Sequence, residues 1–411
     1  MKTVYFKTFG CRSNLYDTQA MIANLGDNWQ SADIDKADAI VVNSCTVTNS
    51  ADSAVRAFIR RMRREKPNAK IIFTGCGASS LGKKALKEGA IDGVFGHSEK
   101  TRIVEFLSEK APFEELGKLD HIDETIIDSF EGKTRAFIKI QEGCDFDCSY
   151  CVIPQVRGRA RSMPKEAILK QIAYLADSGF EEFILTGTNT GGYGRDRGEN
   201  IADLIASIGA INGVRRVRLG SIEPVQIDDR LLDICAAPFM AKHLHIALQH
   251  TSDSVLAAMN RRNRVESDRA LLEKVAKLGF AIGSDYIVGF PNENDEIFSV
   301  AIDNLRLLPL THIHVFPFSP REGTSAAKMK NNNNGTLVDQ RRKIILEIID
   351  RKRRDFYEKN IAPLSVLIEK NNSGLDQFFT RAHIKSDRLL NGWITLDRYE
   401  IDETGAIVGK V

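Results

Sequence analysis

The sequence predicts an α/β protein in three parts: an N-terminal doubly wound parallel sheet, a central partial (β/α)6 barrel and a small C-terminal antiparallel β-barrel. Three observations predict this class. Apolar runs of strand length alternate with amphipathic segments of helix length over most of the chain. The distinctive residues follow the ends of the apolar runs, as they do in α/β folds. The chain has 411 residues, more than the roughly 250 that one core usually organises.

The N-terminal part, predicted over residues 1–125, contains three apolar runs that read as buried parallel strands. Polar segments of helix length lie between them, from Asn14 to Leu25 and from Asn49 to Glu65. Each run ends just before a cysteine: TVYFKTFG before Cys11, AIVVNS before Cys45 and KIIFTG before Cys76. Because the carboxyl ends of parallel strands meet at one edge of a sheet, we expect these three cysteines, the wide trio, to converge there.

The central part, predicted over residues 134–330, repeats the strand and helix pattern six times. Its strands are predicted in the runs RAFIKI, EFILTG, VRLGS, HLHIALQ, AIGSDYIVGF and HIHVFPF. A complete barrel has eight such units in about 250 residues, so six units predict an open, partial barrel. The distinctive residues near the carboxyl ends of its strands are Cys144, Gly187, Ser221, Glu223, His250, Gly289, Pro291 and Pro317.

The C-terminal part begins with a basic helix predicted over residues 336–360, which we expect to connect two domains. Residues 361–411 then contain the short β-like runs LSVLIEK, FFTRAHI, GWITLDRYEI and AIVGKV, with turn signals such as NNSG and NG between them. Short strands separated by turn residues predict a small antiparallel barrel.

The composition describes an ordinary globular protein and excludes several other classes. Hydrophobic residues make up 43% and charged residues 27% of the chain, which excludes disordered, collagen-like and membrane proteins. A net charge of +2 gives no overall field that would attract nucleic acid, so any such binding must use local basic patches. No apolar run is long enough for a signal peptide or a membrane span, so we expect a cytoplasmic protein with no membrane partner.

Three further cysteines, Cys144, Cys148 and Cys151, form a tight trio in the segment CDFDCSYC. Their spacing requires a loop wrapped around a common centre, and clustered thiolates suit an iron–sulfur cluster. Zinc is the main alternative, but structural zinc takes four protein ligands, and no fourth cysteine or histidine lies in this segment. Three ligands on a four-iron cluster leave one iron open to a substrate or cofactor. The seventh cysteine, Cys235, is interpreted as a small buried hydrophobic residue.

The tight trio, after the first strand of a partial barrel, resembles the CxxxCxxC signature of the radical S-adenosylmethionine (SAM) enzymes. This resemblance implies that the open iron chelates SAM. One electron from the reduced cluster then cleaves SAM to a 5′-deoxyadenosyl radical, chemistry that no side chain performs unaided.

The chain resembles one family of these enzymes, the methylthiotransferases, over essentially its full length. The resemblance is carried by TFGCRSNLYDTQAM, VVNSCTVTNSAD, FTGCGAS, IQEGCDFDCSYCVIPQVRGRARS, SIEP, LQHTSDSVLAAMNR and DYIVGFP. It implies a second [4Fe-4S] cluster, an auxiliary cluster that presents sulfur, on Cys11, Cys45 and Cys76, so that two clusters and SAM are the cofactors. It also implies that the C-terminal barrel is of the TRAM type.

The resemblance also implies contacts to SAM, although these match its motifs less closely than the cluster ligands do. Tyr150 lies where adenine is contacted, with a packing aromatic as an equal alternative. Gly187 and Thr188 lie where the methionine amino group is bound. The acidic residue often found there is missing, so the side chain of Thr188 or Asn189 takes that role in this interpretation.

Five more residues are assigned to the same barrel mouth. Ser221 and Glu223 in SIEP are predicted to bind the ribose hydroxyls, with a purely structural strand end as the alternative. Gln249, His250 and Gly289 are predicted to close the mouth. For His250 alone, a hydrogen-bonded structural histidine is the more common role.

Basic residues directly after the tight trio indicate a nucleic-acid partner. Arg157, Arg159 and Arg161 are predicted to neutralise phosphates that flank a flipped nucleotide. The resemblance is closest to the branch that modifies threonylcarbamoyladenosine at position 37 of tRNA, beside the anticodon. It therefore implies the tRNA anticodon loop and an electron donor such as flavodoxin or ferredoxin as partners. Other branches modify isopentenyladenosine at position 37 or an aspartate of a ribosomal protein.

Two alternatives lie outside this family. A nonenzymatic RNA-binding protein could use the cysteine trios to hold structural zinc. A radical methyltransferase without sulfur insertion would share the tight trio, but it has no need of the wide trio.

Overall fold

The computed structural model describes residues 1–110, 112–130, 133–359, 363–402 and 407–410. It is an α/β structure with an N-terminal parallel sheet, a central partial barrel and a curled C-terminal sheet. The predicted fold class is therefore confirmed. No helix in the described ranges is long and apolar enough to cross a membrane.

Six parallel strands form the N-terminal sheet, in the order β2-β1-β3-β4-β5-β6. The strands are β1 (Lys2–Thr8), β2 (Trp29–Ser31), β3 (Ala39–Ser44), β4 (Lys70–Gly75), β5 (Gly93–Phe95) and β6 (Phe113–Glu115). The helices are α1 (Arg12–Ala23), α2 (Asn49–Glu65), α3 (Lys83–Lys87) and α4 (Ile103–Ser108). The three predicted strands are β1, β3 and β4, and the two predicted helical segments correspond to α1 and α2.

Alternate residues of the central strands bury both faces of this sheet. In β3, Ile40 and Val42 belong to the core that includes Phe58 of α2. Ala39 and Val41 belong to the opposite core, which receives side chains from α1 and α4. Helices therefore cover both faces, as the doubly wound class requires. The strand order reverses between β1 and β3, and ligands of such sheets bind beyond the strand ends at this switch point.

The central barrel contains all six predicted strands and one short additional strand. Its strands are β7 (Ala136–Glu142), β8 (Arg161–Ser162), β9 (Glu182–Gly187), β10 (Arg216–Leu219), β11 (His243–His245), β12 (Ala281–Val288) and β13 (His312–Pro317). The additional strand, β8, pairs antiparallel with β7. The sheets β10-β9-β7-β8 and β11-β12-β13 are joined by the bridges Val217–Met240 and Ile222–Ile246, so the barrel is open and partial.

Helices surround this barrel and extend its core to both neighbouring parts. They are α5 (Ile153–Arg157), α6 (Lys165–Asp177), α7 (Ile201–Gly209), α8 (Asp229–Cys235), α9 (Asp253–Ala258), α10 (Val265–Lys277) and α11 (Asp295–Leu307). The barrel core also includes Tyr16 and Ala20 of α1. Ile345 and Ile349, from the long helix α12 (Gly335–Lys359), complete it. The N-terminal part and the connecting helix are thus packed onto the barrel through apolar side chains.

The C-terminal sheet has the order β17-β14-β15-β16-β19-β18. Its strands are β14 (Leu364–Lys370), β15 (Ser373–Leu375), β16 (Arg381–Lys385), β17 (Trp393–Leu396), β18 (Tyr399–Ile401) and β19 (Ile407–Lys410). The edge strands β17 and β18 are consecutive in the chain, so the sheet must curl to bring its edges together. All described pairs are antiparallel except β16 with β19.

Two details of this region differ from the predicted pattern. The run GWITLDRYEI forms two strands, β17 and β18, because a turn interrupts it. Asn371 and Asn372, in the predicted NNSG turn, have φ values of 51°, and the turn leads directly into β15. The predicted domain limits stay predictions. The limit between residues 360 and 361 and both ends of the run AIVGKV lie outside the described residues.

Candidate functional site

A cavity of about 410 Å³ lies between the carboxyl edge of the N-terminal sheet and the mouth of the barrel. Cys11, Cys45 and Cys76 line it from the N-terminal side, and Cys151 and Tyr150 line it from the barrel side. All six cysteines of the two trios are free of disulfides. The volume is in the range of small-molecule sites, and the wall brings members of both trios to one space.

The wide trio converges because each cysteine follows a parallel strand at the same sheet edge. Gly10 has a φ of 101°, and a Cβ atom there would lie 2.5 Å from the Cβ atom of Cys45. A glycine is therefore needed for the loops of Cys11 and Cys45 to approach each other. Asn14 fixes these loops, because its Nδ2 atom donates to the carbonyl oxygens of Phe9 and Ser44, both at 2.8 Å.

Hydrogen bonds hold the loop of the tight trio against the C-terminal end of α9 and the residues that follow it. The backbone nitrogen of Ser149 donates to the carbonyl oxygen of Met259 at 2.9 Å, and its hydroxyl donates to that of Ala258 at 2.8 Å. Asn260 donates from Nδ2 to the carbonyl oxygen of Asp147 at 2.8 Å. These bonds satisfy backbone groups that the loop cannot pair internally and hold the loop at the barrel mouth.

Arg261 is a site residue that the sequence analysis did not single out. Its Nη1 atom lies 3.8 Å from Sγ of Cys148 and donates to Oε1 of Glu223 at 2.8 Å. Burial alone would lower the pKa of Arg261, but nearby anionic groups, including Glu223, hold it above its ordinary value. The residue ends the quoted run LQHTSDSVLAAMNR, so the motif contained it, but nothing in the run indicates its contact with a cysteine.

Arg157 provides the matching cation for the wide trio. Its Nε atom is 3.3 Å from Sγ of Cys76, and the side chain is only 2% exposed. Burial alone would lower its pKa, yet negative charge on Cys76, Asp17 and Glu142 holds the pKa of Arg157 well above its ordinary value. This placement differs from the predicted phosphate contact, which requires an exposed guanidinium.

Arg157 belongs to a buried ionic cluster that crosses the interface between the N-terminal sheet and the barrel. Asp17 of α1 lies 2.7 Å from Nζ of Lys139 in β7 and 3.2 Å from Nη2 of Arg157. Lys100 contacts the same carboxylate at 2.5 Å. Burial opposes ionisation of Asp17, but these three cations keep its pKa well below the ordinary value. The cluster therefore joins the N-terminal part, which carries the wide trio, to the central part, which carries the tight trio.

The donor set fits iron–sulfur clusters. Burial raises the pKa of the thiols of Cys45 and Cys144 to about 11 and that of Cys151 to about 12. Free thiols in these positions are therefore protonated at neutral pH, and metal loading must release protons. Thiolate charge on bound metal would then be balanced by Arg157 beside Cys76 and by Arg261 beside Cys148.

Four of the predicted SAM contacts line the shared cavity: Tyr150, Gly187, Thr188 and Gln249. Gln249 has a φ of 69°, an uncommon conformation for a residue that is not glycine. It is held there by its backbone, which donates to the Asp285 carbonyl at 3.0 Å and accepts from Ile287 at 2.8 Å. Tyr150 also packs against the buried apolar cluster that contains Met259 and Phe290, so its packing role and its cavity position coexist.

The other predicted contacts lie outside the described wall of this cavity. Asn189 lines a neighbouring cavity of about 220 Å³. Ser221 accepts from the Thr190 hydroxyl through its backbone carbonyl, at 2.7 Å. Glu223 is paired with Arg261, as described above. Gly289 packs against α12, because a Cβ atom there would lie 2.6 Å from Cγ2 of Val338.

His250 occupies a structural position. It is fully buried, and its Nε2 atom lies 2.9 Å from Oε2 of Glu293 and 3.1 Å from the Tyr286 hydroxyl. Its Nδ1 atom accepts from the backbone nitrogen of Ser252 at 3.1 Å. Both ring nitrogens are therefore engaged within the protein, as the more common role predicts.

The two remaining arginines of the basic motif differ in exposure. The side chain of Arg159 is 71% exposed, while that of Arg161 is 13% exposed. Arg161 donates to the backbone carbonyl oxygens of Leu119 and Arg159, both at 2.8 Å. Of the three predicted phosphate contacts, only Arg159 has a mostly exposed side chain.

Family models match the N-terminal part and the central barrel separately. Residues 3–96 match the uncharacterized protein family UPF0004, and residues 138–305 match the radical SAM superfamily. The first match contains the complete wide trio, and the second contains the complete tight trio.

Curated relatives align with nearly the whole chain. A Helicobacter pylori (strain J99) protein named "Putative methylthiotransferase" is 48% identical over 98% of this chain and 98% of its own length. The threonylcarbamoyladenosine tRNA methylthiotransferase MtaB of Bacillus subtilis is 34% identical over 88% of this chain and 84% of its own length. The tRNA-2-methylthio-N(6)-dimethylallyladenosine synthase of Polynucleobacter asymbioticus is 32% identical over 90% and 87%.

A solved structure shares the fold at low sequence identity. The radical SAM methyltransferase TsrM from Kitasatospora setae, with cobalamin and a [4Fe-4S] cluster bound, superposes with a TM-score of 0.63 at 15% identity. The match covers 80% of this chain and 77% of that chain. It supports the assignment of the fold.

Proposed function

The chain belongs to the family of radical SAM methylthiotransferases, and we propose that it methylthiolates C2 of N6-threonylcarbamoyladenosine at position 37 of tRNA. Family membership makes the chain an enzyme that uses an iron–sulfur cluster and SAM. The alternative of a nonenzymatic zinc-stabilised RNA-binding protein is thereby removed.

One observation carries the proposal of two clusters: members of both cysteine trios line the same cavity. Cys144, Cys148 and Cys151 would hold the cluster that cleaves SAM, and Cys11, Cys45 and Cys76 would hold the auxiliary cluster. Bound together, these groups supply a carbon-centred radical and a sulfur donor to one enclosed space. A methyltransferase without sulfur insertion would not need the second trio at that wall.

Residues of the chain would balance the charge of the two cluster sites and exclude water from the cavity between them. Arg157 and Arg261 place buried cations beside Cys76 and Cys148, where they balance thiolate charge. Thr188 and Gln249 present polar side chains to the cavity, while Ile287 and Phe316 give it apolar wall. Such a wall limits access of water to a reactive radical and leaves few polar groups to orient SAM.

The substrate assignment is supported by the names of the relatives and by the quoted motifs. Five relatives named as threonylcarbamoyladenosine enzymes are 33% to 35% identical to this chain. The relative named as a dimethylallyladenosine synthase is 32% identical. Identity alone separates these branches only slightly, so the motifs GCRSNLYDT, VTNSAD and CDFDCSYCVIP carry the assignment.

We propose that tRNA approaches across exposed basic residues near the cavity. Arg159 follows the tight trio and is exposed. Helix α2 presents exposed Arg56, Arg60 and Arg61 on the N-terminal part. Positive charge of this kind contacts phosphates without reading sequence. Reduction would come from a donor such as flavodoxin or ferredoxin.

Mass analysis of tRNA nucleosides tests this function directly. Cells that lack the protein should lose 2-methylthio-threonylcarbamoyladenosine and accumulate the unmethylthiolated nucleoside. Re-expression of the native chain should restore the product, and re-expression of the Cys45→Ala variant should not. Loss of the methylthio derivative of isopentenyladenosine, or of a methylthio-aspartate in a ribosomal protein, would assign the enzyme to another branch.

A further inference from the structure

Two histidine pairs lie on the outer strands of the three-stranded barrel sheet β11-β12-β13. The runs HLH and HIH place His243 and His245 on β11 and His312 and His314 on β13. These are four of the eight histidines in the chain. The strand between them, β12, contributes Asp285, which lines the cavity shared by the cysteine trios.

Asp285 is flanked by one histidine from each neighbouring strand. Its Oδ2 atom lies 3.1 Å from Nε2 of His245, and its Oδ1 atom lies 3.4 Å from Nδ1 of His314. The three potential ligand atoms lie within 4.8 Å of one another. Ligands bound to one zinc-like ion at about 2.0–2.1 Å stand roughly 3.0–3.4 Å apart, so the separations of Asp285 from the two histidines suit a shared ion.

The backbone leaves room for this arrangement. Gly283, on β12, faces the two histidines of β11, and a Cβ atom there would lie 2.8 Å from Nε2 of His243 and 3.0 Å from Nδ1 of His245. Any larger residue at this position would displace the imidazoles. The rings of His245 and His314 stack with their centroids 5.3 Å apart, which holds both on the same side of Asp285.

The charge of Asp285 sets this partly exposed cluster apart from a second, fully buried group of histidine and carboxylates, formed by Asp17, His97 and Glu142. In that group Asp17 is already neutralised by Lys100 at 2.5 Å and by Lys139 at 2.7 Å. Asp285 has no lysine or arginine partner in the part of the chain that the structure describes, and its carboxylate pairs there with His245 and His314. A carboxylate with 21% of its side chain exposed therefore has the two histidines as its charge partners.

We propose that His245, Asp285 and His314 bind one divalent transition-metal ion on the wall of the cavity. Two imidazoles and one carboxylate are a ligand set suited to zinc or ferrous iron. Access is available, because the side chain of His314 is 56% exposed. Three protein ligands leave at least one coordination position for water or for an oxygen atom of an entering substrate.

Zinc analysis of the reconstituted holoenzyme tests the site while the cysteines are occupied by iron. Anaerobic protein is incubated with zinc sulfate and desalted, and zinc and iron per chain are measured. The wild type should retain about one zinc per chain. Asp285→Asn and His314→Ala should retain close to none while keeping the wild-type iron content and circular dichroism, which establishes that the variants are folded.

A matched control comes from an exposed pair. His121 lies 3.1 Å from Asp120, the same separation as His245 from Asp285, but the described residues place no third potential ligand beside this pair. His121→Ala should therefore retain zinc like the wild type. Equal zinc in the wild type and Asp285→Asn would overturn the proposal.

Zinc X-ray absorption separates this site from zinc at a cysteine trio. The proposed ligands predict nitrogen and oxygen neighbours at about 2.0–2.2 Å and no sulfur at about 2.3 Å. Sulfur neighbours in the wild-type sample would overturn the site whether or not the protein methylthiolates tRNA, so this test does not depend on the proposed function.

Discussion

The Nε atom of Arg157 lies 3.3 Å from the Sγ atom of Cys76. Arg157 ends α5, six residues after Cys151, whereas Cys76 follows β4 of the N-terminal sheet. A single buried guanidinium thus connects the segment that leaves the tight trio to a member of the wide trio. Removing its charge should therefore change both the stability of the interface and the electrostatic environment of the wide trio.

Replacing Arg157 with Gln should destabilise the protein. The change removes the contacts of the guanidinium with Asp17 and Glu142, which are buried and ionised in this cluster. Removing one partner from a buried ionic group costs about 3–5 kcal/mol of stability. Because Lys100 and Lys139 still contact Asp17, we expect a loss at the lower end of this range. Denaturant unfolding of the apoprotein measures the loss. Arg159→Gln, exposed and two residues away, should change the unfolding free energy by less than about 0.5 kcal/mol. Equal values for the two variants would contradict the role of the buried cluster.

Arg157→Gln should also lower the reduction potential of the auxiliary cluster. A cation close to a thiolate ligand favours the more negative, reduced state, so its removal should make reduction harder. The potential is best measured by electron paramagnetic resonance titration in a Cys144→Ala, Cys148→Ala, Cys151→Ala background, which leaves only the wide trio. An unchanged potential would show that the Cys76 contact has no electrostatic effect on the cluster.

Reconstituted wild-type protein should contain about eight irons and eight sulfides per chain, since each trio can hold one four-iron cluster. Cys144→Ala and Cys45→Ala should each reduce both values to about four. Chemical iron and sulfide analysis under anaerobic conditions gives the counts. A wild-type value near four that is insensitive to Cys45→Ala would remove the auxiliary cluster from the proposal.

Replacing Cys148 with Ala should abolish reductive cleavage of SAM. The two remaining thiolates, of Cys144 and Cys151, cannot hold a four-iron cluster with one open iron. Formation of 5′-deoxyadenosine, measured by chromatography after reduction with dithionite, should fall to background. Cys235→Ala serves as the control, because Cys235 is a buried cysteine of α8 outside both trios and should leave cleavage intact. Cleavage at the native rate by Cys148→Ala would contradict the assignment.

The convergence of the wide trio was predictable from the sequence, because the positions of its cysteines depend on local pattern. Cys11, Cys45 and Cys76 follow apolar runs, and parallel strands necessarily gather their ends at one edge. The role of Arg157 was not predictable in this way. In the run RGRAR it resembles its exposed neighbour Arg159, and its burial depends on Asp17, which lies 140 residues away in the chain.

The predicted SAM contacts show that the sequence pattern does not determine the direction of individual side chains. Thr188 and Asn189 are adjacent in sequence, yet they line different cavities because the chain turns after β9. The adjacent residues Gln249 and His250 also have different surroundings. Gln249 lines the cavity, whereas His250 is buried and forms a hydrogen bond with Glu293. A strand end identifies which residues are near a site, but the direction of each side chain depends on the packing of the following loop.

Replacing Cys45 with Ala should separate the two half-reactions of the enzyme. Cys45 lies at the switch point of the N-terminal sheet, while the tight trio is held in the barrel by its own bonds to Met259 and Ala258. Cleavage of SAM to 5′-deoxyadenosine should therefore survive, although uncoupled from product, and the methylthio derivative of threonylcarbamoyladenosine should disappear.

A purely packing role for Cys45 predicts a different result. Loss of a buried sulfur atom would then cost about 1–3 kcal/mol of stability, and product would remain proportional to the amount of folded protein. Cys235→Ala, which removes another buried cysteine, supplies that packing reference. Both products should be measured on one folded sample of each variant. Normal methylthiolation by Cys45→Ala would exclude Cys45 from the sulfur-presenting site, and with it the proposed reason that the wide trio shares a cavity with Cys151.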